Sequence, residues 1–69
     1  MSEQSHYEIS SYNGGSWNLE AVLPSHDDAV ARANDMMRSA ARDAVKVNHV
    51  SFSNLAGEFR EKEALFLGT

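Results

Sequence analysis

The chain contains no cysteine. That absence excludes disulfides and any thiolate metal site. It also fits a reducing compartment, so the expected location is the cytoplasm. Basic residues are few: six Lys and Arg stand against ten Asp and Glu, for a net charge of −4. Phosphate neutralisation needs a basic face, so nucleic acid is not an expected partner. No apolar run approaches the ~20 residues of a membrane span. The N-terminal Met1-Ser2-Glu3-Gln4-Ser5 is polar and has no apolar h-region, so neither a signal peptide nor a membrane role is expected. There is no low-complexity segment and no catalytic or cofactor motif. The expectation is a protein with no enzymatic activity, no cofactor and no bound metal.

What is present is a regular pattern of short elements. Sixty-nine residues allow one small domain. A chain this short buries about 60% of its unfolded surface, so its core is thin and oligomerisation is one common remedy. Residues 1–5 are expected to form a disordered tail, with a single α+β domain over 6–69. Period-two alternation marks strands at His6–Tyr12 and Trp17–Leu23, joined by a turn at Asn13-Gly14-Gly15. Pro24 ends the second strand. Ser25 is a suitable N-cap, and Asp27 and Asp28 suit the positive first turn of a helix running to about Arg42. Ala29, Ala33, Met36, Ala40 and Ala44, with Val30, Met37 and Ala41 beside them, form an apolar stripe. Two further strands follow, Val45–Phe52 and Phe59–Leu67, around a turn at Asn54-Leu55-Ala56-Gly57. The pattern predicts ββαββ: two hairpins forming a four-stranded sheet, with one helix on one face.

Registers follow from keeping apolar residues together. A two-residue Asn13-Gly14 loop sets Ile9 against Asn18. A three-residue loop, Asn13 to Gly15, sets Ser11 against Trp17, Ile9 against Leu19 and Tyr7 against Ala21, and is preferred. It opposes Glu8 to Glu20, a like-charge pair that Lys62 or Lys46 is expected to relieve. In the second hairpin a four-residue loop pairs Phe52 with Phe59, Val47 with Ala64 and Val45 with Phe66. His49 and Ser51 then lie against Lys62 and Arg60, beyond the end of the helix. The helix connection makes the second and third strands parallel, either adjacent or one strand apart, with strand orders 2-1-4-3 and 1-2-3-4 both open.

These registers leave Val22, Val50, Phe52, Phe59, Leu65 and Leu67 on the face opposite the helix, as a candidate protein-interaction surface. A β-bulge near Asn48–His49 would instead turn Val50 and Phe52 inward. Other candidates have simpler explanations. His6, His26 and His49 lie on different elements, and His26-Asp27-Asp28 reads as a solvated helix start. Asn13-Gly14-Gly15-Ser16 joins two strands, whereas a phosphate loop leads into a helix. Arg38, Arg42, Lys46, Arg60 and Lys62 are the only basic concentration. Met36, Met37 and Trp17 read as core residues.

The expected function is therefore a non-catalytic protein–protein interaction module: an adaptor, regulatory or assembly subunit. Its partner is a protein or a second copy of itself, and a homodimer is expected through the outer sheet face or the second hairpin. The alternative is a small nucleic-acid-associated regulator.

Overall fold

A computed structural model describes residues 4–39, 43–53 and 55–68. They form β1 (Gln4–Asn13), β2 (Ser16–Leu23), α1 (His26–Arg38), β3 (Ala44–Ser53) and β4 (Glu58–Gly68). The ββαββ arrangement matches the expectation. All four strands join one sheet of order β2-β1-β3-β4, with every neighbouring pair antiparallel. Neither expected strand order is correct. β2 and β3 are parallel and one strand apart, as expected of the helix connection, with β1 between them. Burial explains this order. Ile9 and Ser11 of β1 and Val45 and Val47 of β3 are buried, so these two strands take the centre. β2 and β4, with most residues exposed, take the edges.

The central β1–β3 ladder runs unbroken from Gln4↔Phe52 to Tyr12↔Ala44. It begins two residues before the strand expected from His6, so Gln4 and Ser5 belong to the sheet; residues 1–3 lie outside the described residues. Each edge strand carries one bulge. In β2 the turn is Gly14-Gly15 alone, with φ of 66° and 89° and Asn13 paired to Ser16. Two consecutive positive φ values suit a two-residue hairpin turn, and glycine adopts both without a Cβ penalty. The expected three-residue loop is therefore incorrect. Trp17 pairs with Tyr12 and Leu19 with Ser10. Glu20 is then the extra residue, and Ile9↔Ala21 and Tyr7↔Leu23 follow. Glu8 faces Val22, so the expected Glu8–Glu20 clash does not arise. Buried Ser11 donates to Glu20 at 2.5 Å, and Glu8 is 3.1 Å from His6.

In the second hairpin Phe52↔Phe59, Ser51↔Arg60 and His49↔Lys62 pair as expected. The register then shifts at Ala64, giving Val47↔Leu65, Lys46↔Phe66 and Val45↔Leu67. The expected pairs Val47–Ala64 and Val45–Phe66 are incorrect. The energetic reason is simple. A bulge gives up about one ladder hydrogen bond, worth ~0.5–1.5 kcal/mol net. Burying a leucine side chain contributes ~1.5–3 kcal/mol. Two leucines turned toward the helix outweigh one lost bond, even when only partly covered.

Ser25 caps α1 by accepting from the Asp28 amide at 3.4 Å, and its carbonyl accepts from Ala29 at 3.0 Å. Asp35 and Arg38 pair on the exposed side. The helix ends at Arg38, a turn earlier than expected. Ser39 donates its hydroxyl to the Met36 carbonyl at 2.8 Å, which competes with continuing the helix. Ala40, Ala41 and Arg42 lie outside the described residues, as does Asn54 of the second turn. Ala29, Ala33 and Met36 meet Ile9, Val45 and Val47 in the core, with Tyr7, Ala21, Leu23, Met37, Leu65 and Leu67 packed around them. The alanines let the helix lie close to the sheet. Thirteen helical residues reach about 20 Å, while the molecule is 41 Å long. The second hairpin therefore projects past the helix.

Ile9 is fully buried and Leu55 fully exposed. Ile9→Ala should cost about 2–5 kcal/mol, and Leu55→Ala should stay within about 0.5 kcal/mol of the parent. Urea melts followed by circular dichroism check both. Equal midpoints for the two variants would contradict this core.

Candidate interaction surface

The helix covers one side of the sheet, and β1 and β3 alternate without interruption. Every second residue of β1 and β3 therefore points to the uncovered side, called here the outer face. Five of the six exposed large apolar residues among those described are on it: Trp17, Leu19, Val22, Phe59 and Phe66; Leu55 sits in a turn. Leu19 and Phe59 are 60% and 70% exposed. One element leaving this many apolar side chains on one side makes this face the candidate contact surface.

The outer face has two apolar ends and a charged middle. At one end Trp17 touches Tyr12, with ring centroids 5.3 Å apart, and Phe66 at 6.2 Å. The Lys46 ammonium lies 4.5 Å from the centre of the Trp17 ring. The Phe66 ring leans over Gly68, where an added Cβ would approach it to 2.8 Å. At the other end, on the projecting hairpin, Phe52 and Phe59 touch at 4.8 Å. Between these ends lie Glu8, Asn48, Glu61 and Glu63, with Asn48 donating to Glu61 at 2.8 Å.

The expected surface residues are thus partly reassigned. Val22, Val50, Phe52 and Phe59 are on the outer face. The register shift is at Asn48, yet the extra residue is Ala64 of β4 rather than a residue of β3. Val50 and Phe52 consequently stay outward, although Val50 is itself buried. Leu65 and Leu67 belong to the helix side and pack on the core. Trp17, Leu19 and Phe66, expected inward, are outward instead: the two-residue turn sets Trp17 against Tyr12 and Leu19 against Ser10, and the bulge at Ala64 inverts the alternation that carries Phe66. A Gly-Gly pair that meets the two-position demand of a tight turn was the signal for the first of these changes.

The remaining candidates do not converge. Tyr7 stands between two histidines: its ring stacks on His49 at 4.6 Å and meets His26 edge-on at 5.5 Å. His6 is on the opposite face beside Glu8. Among the described residues no three potential ligands gather at one point, and no cavity opens. Gly14-Gly15 joins two strands. Of the cations, Arg38 pairs with Asp35 and Arg60 with Glu58. Lys46 faces outward while Lys62 and Arg60 are on the helix side; Lys46 serves Trp17 rather than the expected relief of Glu20. No described helix is long and apolar enough to cross a membrane. No protein-family model, curated protein or solved structure matches the chain.

Lys46→Met should change the emission of Trp17, the only tryptophan, while costing no more than about 1 kcal/mol of stability. An unchanged emission spectrum would place the ammonium away from the ring.

Proposed function

We propose that the protein is a non-catalytic interaction module, an adaptor, regulatory or assembly subunit, that pairs with a second copy through its outer sheet face. The observation that carries this reading is the gathering of Trp17, Leu19, Val22, Phe59 and Phe66 on the side the helix leaves bare. Burying such a face removes apolar area from water at roughly 25 cal/mol per Å2. A thin one-helix core gains most from that cover.

Pairing along the edges is less suited. β4 is an edge strand whose central segment is Arg60-Glu61-Lys62-Glu63. Antiparallel self-pairing about an axis normal to the sheet sets residues of the same face opposite one another. Registers centred on this segment then oppose Arg60 to Lys62, or Glu61 to Glu63, of the other copy, and like charges directly opposite repel. Bulges interrupt both edges as well. Absence of cysteine supports a place in the cytoplasm.

A second reading rests on the Tyr12–Trp17–Phe66 cluster with Lys46 above it, since aromatic residues on an open sheet can stack bases. Glu8, Glu61 and Glu63 on the same face oppose a phosphate backbone, and self-pairing is favoured.

Trp17 reports on both. As protein concentration rises, its emission should move to shorter wavelength and its quenching by acrylamide should fall. Leu19→Asp combined with Phe59→Asp should abolish the concentration dependence and keep a cooperative melt, because both side chains are exposed in the single chain. Quenching that is the same at every concentration counts against self-pairing. Protection of Trp17 by short single-stranded RNA at low salt selects the second reading.

A further inference from the structure

We propose that the helix side of the projecting hairpin binds a phosphate monoester, carried on a phosphorylated segment of a partner protein. The site is on the face opposite to the one assigned to self-pairing and does not depend on that reading. It follows from what the registers place side by side. Tyr7, His49 and Lys62 form one row across β1, β3 and β4, and Ser5, Ser51 and Arg60 form the next row outward on the same face. Residues directly opposite in such rows have Cβ atoms about 4.5–5.5 Å apart, so neighbouring side chains can reach one small group. The two rows do not close on a point; they line a ledge. His26, the first residue of α1, stands at its inner end and meets the Tyr7 ring edge-on at 5.5 Å, while His49 stacks on that ring at 4.6 Å.

Charge is sorted between the two faces of the hairpin. Period two sends Glu61 and Glu63 to the outer face and Arg60 and Lys62 to the ledge. The two rows together hold two fixed cations, three hydroxyls and an imidazole, and no carboxylate. Lys62 makes no ion pair or hydrogen bond among the described residues. Arg60 is held by Glu58 at 3.3 Å, with both side chains more than half exposed. A pair so open to solvent is weak and can be exchanged for a stronger acceptor. Asp27, 3.5 Å from His26, is fully exposed and turned to solvent. The donors are side chains of the sheet rather than amides of α1, where Ser25 already caps the Asp28 amide.

A phosphate monoester fits this set better than a carboxylate. It carries up to two charges and three strong acceptor oxygens, so it can take Lys62 from one row and Arg60 from the next together. These two are two residues apart on one strand, about 6.6–7 Å, a separation their long side chains close. A carboxylate brings one charge and two oxygens. No cavity opens among the described residues, so nothing encloses a free small molecule. An open ledge suits a group presented on an extended chain. A lysine that only guards an edge strand would account for Lys62, and would leave the matched donors of β1 and β3 without a role.

Proton NMR of the full chain tests the site, because the three histidines report on both faces: His26 and His49 border the ledge, and His6 is on the outer face beside Glu8. A short peptide with one phosphoserine, added at constant pH and ionic strength, should move the His49 and His26 ring signals saturably and leave His6 in place. Inorganic phosphate should do the same more weakly, and the unphosphorylated peptide should do nothing. Lys62→Gln and Arg60→Gln should each weaken binding about threefold or more. Glu61→Gln, on the other face, should leave it unchanged. All three positions are exposed, so each variant keeps the fold. A response shared by His6, a response unchanged in both Lys62→Gln and Arg60→Gln, or no saturable response at all overturns the site. Binding of inorganic phosphate without binding of the phosphopeptide overturns a phosphorylated segment as its source.

Discussion

One helix has to serve a four-stranded sheet, and nearly every feature of the molecule follows from that mismatch. Thirteen residues of helix shield part of one face of a sheet that projects beyond them. The helix presents mostly alanine to the sheet, with Met36 as the larger exception. Such a stripe permits close approach but adds little volume. The core is therefore completed from the sheet itself, by Ile9, Val45 and Val47 at the centre and by Leu23, Leu65 and Leu67 toward the edges.

The two bulges are how the edge strands meet that demand. Glu20 in β2 and Ala64 in β4 are the extra residues, and beyond each the alternation inverts. Ala21, Leu23, Leu65 and Leu67 thereby reach the helix side. The inversion at Ala64 also turns Phe66 outward, while the two-residue Gly14-Gly15 turn sets Trp17 and Leu19 outward. Core completion on one face and apolar exposure on the other follow from the two bulges together with the tight Gly14-Gly15 turn. The bulged, charge-patterned edges then discourage lateral pairing, and the proposal accordingly places the partner on the outer face.

The order and type of elements were legible in the sequence because each signal is local. Ser25 with two acids after it announces a helix start, and alternation around Ile9 and Val47 announces strands. The second hairpin's Phe52–Phe59 pairing was legible too, from a four-residue turn ending in Gly57. Strand order was not, since it depends on which strands are buried most deeply, a property of the assembled sheet. The identity of the outer face was legible only in part. Val22, Val50, Phe52 and Phe59 follow from simple alternation, whereas the Trp17–Phe66 end depends on the tight Gly14-Gly15 turn and on a bulge at Ala64 whose benefit is tertiary. A hidden bulge costs one hydrogen bond and leaves almost no mark in composition. It nonetheless decides which of Leu65 and Phe66 meets solvent.

The central claim is that the bare face is covered by a second copy of the chain. Sedimentation equilibrium of the unmodified protein over a wide concentration range tests it most directly. The account predicts a weight-average mass that rises from one chain and levels at two. A mass that stays at one chain throughout, or that grows past two without a plateau, would contradict it.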